Sequence, residues 1–106
     1  MAEEHISIKL NRVFHQKARL GIMSILMVME DVEFNYLKER LKLSDGNLST
    51  HLSILEQEKY IKIKKKFVKK KPKTLCQLTG KGHNAFVEYI DNLEKIIKNV
   101  PGIKKK

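Results

Sequence analysis

The chain has 106 residues, a net charge of +10, 42% apolar and 32% charged residues, and a pI near 9.8. That length leaves no room for a second independent core, and that charge makes a polyanion the expected partner. The single cysteine, Cys76, excludes a disulfide framework and suits a reducing cytosol, so a cytoplasmic location is expected.

The start, "MAEEHISIKLNR", places acids ahead of any base and holds no apolar run, unlike a signal peptide. Leu10 to Met29 reads as a helix. Val13, Phe14, Leu20, Met23, Leu26 and Met29 form an apolar face, and Ile22, Ile25, Met27 and Val28 make the second half apolar nearly all round. Such a helix belongs at the centre of a core or an interface. Its apolar run, "LGIMSILMVM", is far short of the about 20 residues of a membrane span, so no membrane partner is expected. "FNYLKERLKL" follows, with Phe34, Leu37 and Leu41 at intervals of three and four, which predicts a short amphipathic helix.

Ser44 and Asp45 are good helix caps, and Leu48, Leu52 and Leu55 recur after them at four and three. Two short helices around a tight polar turn predict a helix-turn-helix over about 34–58. Gly46 costs its helix about 1 kcal/mol; either it permits a close backbone approach or it is merely tolerated. From Tyr60 the period becomes two: Ile61, Ile63 and Phe67 fall on an apolar side, alternating with lysines. "KKKPK" is expected to be a loop tip, because Pro72 lacks a donor and like charges repel. "TLCQLT" resumes the alternation with Cys76 and Leu78, completing an antiparallel hairpin over about 60–78.

Thr79 is expected to cap a last helix over about 80–99. Phe86, Tyr89, Leu93, Ile96 and Val100 are spaced three, four, three, four, and Ile90 and Ile97 widen the stripe. A seam of this kind packs against another helix along its length. A dimer interface of Phe86, Tyr89, Leu93, Ile96, Ile97 and Val100 is expected, with packing on the first long helix as the alternative. The fold class is mainly α with a small antiparallel β-hairpin (α+β) and long terminal helices, in one domain spanning 1–106.

With the leucines of the Asp45 helix turned inward, Asn47, Ser49, Thr50, His51 and Ser53 are left for other faces. These short donors and acceptors suit base edges in a major groove. The first turn, at Ser44, points backbone N–H groups outward, which favours a phosphate. Between Lys59 and Lys73 stand nine lysines and no acid. Lys64, Lys66, Lys69, Lys70, Lys71 and Lys73 are the expected phosphate contacts, since lysine is a point charge suited to anchoring rather than base reading.

Four phrases, "RLGIMSIL", "LSDGNLSTHLSILE", "YIKIKKKFV" and "LTGKGHNAF", carry a resemblance. Over roughly Leu10 to Leu93 the chain resembles the winged-helix transcriptional regulators of bacteria and archaea, in particular a small stand-alone family related to the MarR and ArsR groups. The resemblance implies a winged helix-turn-helix with Asp45 to Gln57 as recognition helix and the lysine hairpin as wing. It also implies a homodimer of terminal helices on a pseudo-palindromic double-stranded operator. The wing departs from the pattern in having no arginine at its tip. Two other readings are a winged helix for RNA or non-specific nucleic-acid binding, and a protein-interaction module with an incidental basic hairpin.

His5, His15, His51, His83 and Cys76 show no metal-ligand spacing, and no nucleophile, base and orienter cluster together. No metal, cofactor or enzymatic activity is expected, and no small-molecule effector is evident. Tyr36, Tyr60 and the methionines at 23, 27 and 29 read as packing residues.

Overall fold

A computed structural model describes residues 10–102. His5, the acidic start and residues 103–106 of the lysine tail lie outside this range. The described elements are α1 (Lys17–Leu26), β1 (Val32–Glu33), α2 (Phe34–Leu41), α3 (Asp45–Gln57), β2 (Ile61–Val68), β3 (Lys71–Leu78) and α4 (Gly80–Lys98).

The first helix is shorter than its apolar pattern predicts, because two side chains compete for its backbone. Asn11 Oδ1 accepts from the amides of Val13 (2.8 Å) and Phe14 (3.3 Å), bending residues 11–14 into a turn. Gln16 then caps α1, its Oε1 accepting from Arg19 N at 3.0 Å. The turn drops Phe14 into the core with no exposed surface. There it meets the rings of Tyr60 at 4.7 Å, Phe86 at 5.2 Å and Tyr89 at 5.8 Å between centroids. The Phe86 and Tyr89 rings meet Phe14 edge-on, a geometry that adds to the burial energy of each ring.

Lys42, in the left-handed region at φ 55°, ends α2 by sending its N–H back to Lys38 O. Two residues later Ser44 caps α3, its hydroxyl accepting from Asn47 N at 3.1 Å. Lys38 Nζ bridges the turn to Asp45 at 2.9 Å. Leu48, Leu52 and Leu55 bury the inner face of α3, and α1 packs on both α2 and α3.

The sheet is antiparallel in the order β1-β3-β2. Strand β1 was not expected: two residues are too few to show alternation, yet pairing with Leu75 and Cys76 buries Val32. Pro72 requires a correction, since it lies inside β3 opposite Phe67 rather than in the loop. The turn is only Lys69–Lys70, so Val68 and Lys71 form the hydrogen-bonded closing pair. Phe67 and Pro72 are then a non-hydrogen-bonded pair, and the missing proline donor faces away from β2. No strand lies there, because β1 reaches only Leu75 and Cys76. Phe67 is the second correction. It is not half-buried but 80% exposed, because the hairpin outruns the core beyond Ile63.

Thr79 caps α4 as expected, its Oγ1 accepting from Gly82 N at 2.9 Å. The predicted seam is corrected in part. Phe86 and Tyr89 are 3% and 1% exposed, so they serve the chain's own core and offer at most a ring edge to a second copy. Leu93 packs against the same core, Ile96 is half-buried, and Ile97 and Val100 stand exposed. Helical spacing identified the apolar stripe, but not which part of it the chain itself covers.

Candidate nucleic-acid interface

The outer surface of α3 is polar and open. Asn47, Ser49, Thr50 and Ser53 are exposed and His51 is half-buried. At 100° per residue, positions 46, 50, 53 and 57 run down the face opposite Leu48, Leu52 and Leu55. Asn47 and Ser49 lie toward its two edges, and His51 sits on the flank. Gln57, exposed on the same line, was missed by the sequence reading although it continues the spacing of Thr50 and Ser53. Nothing lies within 4 Å of a Cβ built on Gly46, so that glycine is not required by a neighbour inside the chain.

Existing hydrogen bonds limit what these groups can offer. Thr50 Oγ1 donates to Gly46 O at 3.0 Å, leaving its lone pairs and methyl group for a ligand. Ser44 Oγ accepts from Asn47 N, which leaves the hydroxyl hydrogen for an anion. Arg19 Nε donates to Val13 O at 2.6 Å, while Arg19 Nη1 lies 3.0 Å from His51 Nδ1. A guanidinium has no acceptor, so His51 Nδ1 must be bare and Nε2 must carry the hydrogen. Burial, and secondarily the Arg19 charge, lower the His51 pKa. The ring is therefore held neutral, with one N–H to donate.

On the hairpin, alternation places Lys62, Lys64 and Lys66 of β2 on one face with Lys71 and Lys73 of β3. Lys62 thus joins the lysines expected from the sequence. Lys66 and Lys73 are directly opposite, an unfavourable like-charge pair. Glu33 relieves it, its Oε1 lying 3.3 Å from Lys73 Nζ, so Lys73 is the one expected phosphate ligand that already has an acidic partner. Lys69 and Lys70 form the turn at φ 53° and 66°. Both are left-handed, where a lysine costs about 1–2 kcal/mol and Asn-Gly would sit without strain. Strain held at an exposed tip is a reason to look for function there.

No group of three or more His, Cys, Asp or Glu among the described residues could hold a metal ion. Cys76 is fully buried, and burial first, then the Glu56 charge, push its thiol up to about 11, which makes it an inert core residue. Among the described residues, no helix is long and apolar enough to cross a membrane.

A helix-turn-helix whose second helix runs into a three-stranded sheet with a protruding hairpin is a winged helix-turn-helix, the fold of MarR- and ArsR-type transcriptional regulators. The chain belongs to the family of winged helix DNA-binding domains, whose model matches residues 18–97. It is 40% identical over 89 residues to Uncharacterized protein MJ0432 of Methanocaldococcus jannaschii, covering 84% of this chain and 97% of that protein. Among solved structures it resembles a transcriptional regulator homologue from Pyrococcus horikoshii OT3, with 26% identity and a TM-score of 0.84 over 93% of this chain and 98% of that one. MepR of S. aureus, solved as a DNA complex, shares the fold at 14% identity and a TM-score of 0.72, over 90% of this chain and 77% of that one.

Proposed function

We propose that this chain is a sequence-specific regulator that lays α3 in the major groove of double-stranded DNA, rests its lysine wing on phosphates and acts as a homodimer. The observation that carries the reading is the division of labour on α3. Three leucines hold it to the core, while Asn47, Thr50, Ser53 and Gln57 stay open on its outer side. A relative described as a transcriptional regulator homologue supports it. The reading requires the wing and the open side of α3 to address one duplex.

Binding duplexes selected from a random pool supply the test. Asn47→Ala or Thr50→Ala should weaken the selected duplex by about 1–3 kcal/mol and leave random DNA unaffected. Equal loss on both would remove α3 from base reading.

For the dimer, the available apolar surface is the flank of α4 and its C-terminal end. Val87, Ile90 and Ile97 are exposed on α4, Val100 is exposed just beyond it, and Val28 and Met29 are exposed just beyond α1. A shallow groove lined by Ser24, Met27, Phe86, Val87, Ile90 and Asp91 connects the two helices. Val87→Asp with Ile90→Asp should give folded monomers by light scattering. Tyr89→Ala, in contrast, should cost about 3–5 kcal/mol of fold stability as a core truncation. A wild-type protein that is monomeric at micromolar concentration would overturn the homodimer.

A further inference from the structure

Phe67 has no structural use in the chain. It is 80% exposed, the most exposed of the aromatic rings among the described residues. It stands opposite Pro72, one residue pair below the turn. Lys65 shares its face of the hairpin and Lys69 and Lys70 follow at the turn, all exposed, while Lys66 and Lys71 lie on the opposite face. From Lys64 to Val68 every residue of β2 is exposed, and Lys71 and Pro72 of β3 are exposed opposite Val68 and Phe67, so the last two residue pairs and the turn stand clear of the core.

We propose that Phe67 is an apolar wedge that the wing inserts into the minor groove of duplex DNA, opening one base step. The inference rests on the DNA-binding reading above and adds a contact to it. Three properties of the tip point to this occupant, and the first is charge. A ring beside Lys65, Lys69 and Lys70 on a chain of net charge +10 repels a second copy and attracts a polyanion. The second is size. Two strands about 4.8 Å apart, with their side chains, are wider than the roughly 6 Å minor groove, so the ribbon rides over it and only a projecting side chain enters. The third is chemistry. The tip has no arginine to seek the groove's negative potential, and its lysines are drawn to the phosphates on either side. What remains to enter is the phenyl ring, and apolar side chains are what minor-groove proteins insert between base steps. Pro72 contributes by fixing its own φ, which stiffens the strand that faces Phe67. A single-stranded nucleic acid fits less well, because such strands stack successive bases on several aromatics. The next most exposed ring among the described residues, Tyr36 at 38%, belongs to α2 and not to the wing.

The chain has no tryptophan, so Phe67→Trp installs a unique fluorophore at the wedge. Its emission should be that of a solvated indole in the free protein and should be quenched on adding one equivalent of a duplex recovered from a random pool. The matching single strand should quench it much less. Phe67→Ala should bind that duplex about tenfold more weakly with the same salt slope, since all the lysines remain. It should also abolish the bend reported by energy transfer between dyes on the duplex ends, and Phe67→Leu should restore the bend in part. Because Phe67 is exposed, these variants should melt like the wild type. Unchanged affinity and bend in Phe67→Ala, an indole indifferent to duplex, or equal quenching by the single strand would each overturn the wedge while DNA binding stands. Loss of the dimer in Phe67→Ala would assign the ring to a second copy instead. A wild-type protein that binds no duplex would overturn both readings together.

Discussion

Gly82→Ala should lower stability by about 3 kcal/mol, although alanine is the better helix former by about 1 kcal/mol. The reason is a backbone contact. A Cβ on Gly82 would lie 2.1 Å from Tyr60 O, 2.8 Å from its carbonyl carbon and 3.0 Å from its Cα, and none of these atoms can rotate away. The first turn of α4 sits directly on the joint between α3 and β2. Thr79 N donates to Tyr60 O at 3.1 Å, and Thr79 Oγ1 donates to Lys59 O at 2.7 Å while accepting from Gly82 N. A methyl group there must push α4 off that joint, unsettling Phe86 and the base of the wing together. For a domain of this size the loss corresponds to about 10–20 °C in melting temperature, followed by circular dichroism. Gly46→Ala is the control. Its Cβ would meet nothing within 4 Å, so the same substitution should leave stability unchanged or raise it by up to about 1 kcal/mol. A Gly82→Ala protein melting with the wild type would mean that α4 does not dock on Tyr60.

The contrast between those two glycines shows what was legible in the sequence. Caps and leucine spacing are local signals, and they placed α2, α3 and the start of α4 correctly: Ser44 and Thr79 cap the helices they were expected to cap. The start of α1 was misplaced because an apolar period cannot reveal that Asn11 will claim the amides of Val13 and Phe14. Strand β1 was invisible for want of length. The α4 stripe was visible as a stripe, but its division between core and surface depends on Phe14, more than 70 positions earlier, reaching Phe86 and Tyr89. At the candidate interface, the hydroxyl-rich face of α3 and the lysine tip were readable from composition and alternation. The hold of Arg19 on His51 was not, because it spans 32 positions and neither residue's neighbours announce it. Phe67 was misjudged because alternation gives the face of a strand without giving the point at which the core beneath it ends.

Removing the charge of the wing tip is expected to have the largest effect on binding, and the turn geometry permits it without weakening the hairpin. Lys69 and Lys70 are left-handed, so Lys69→Asn with Lys70→Gly supplies the residues that this turn prefers and should stabilise the hairpin. Adding Lys71→Ala removes three positive charges per subunit. If each wild-type subunit of a dimer neutralises about three phosphates, log K should fall with log salt at a slope of about −5, a loss of roughly 10³-fold between 50 and 200 mM. In the triple variant the slope should flatten by about one for each phosphate that is no longer neutralised, and low-salt affinity should fall by about 10²-fold or more. That loss should be the same for selected and random duplexes, because phosphates carry no sequence information. A stabler hairpin that binds DNA worse is a combination that impaired folding cannot produce. It would show that the strain at Lys69 and Lys70 is retained for their charge. Undiminished affinity with an unchanged slope would instead assign phosphate binding to the Lys62, Lys64 and Lys66 face of β2, and leave the strained tip without an electrostatic reason.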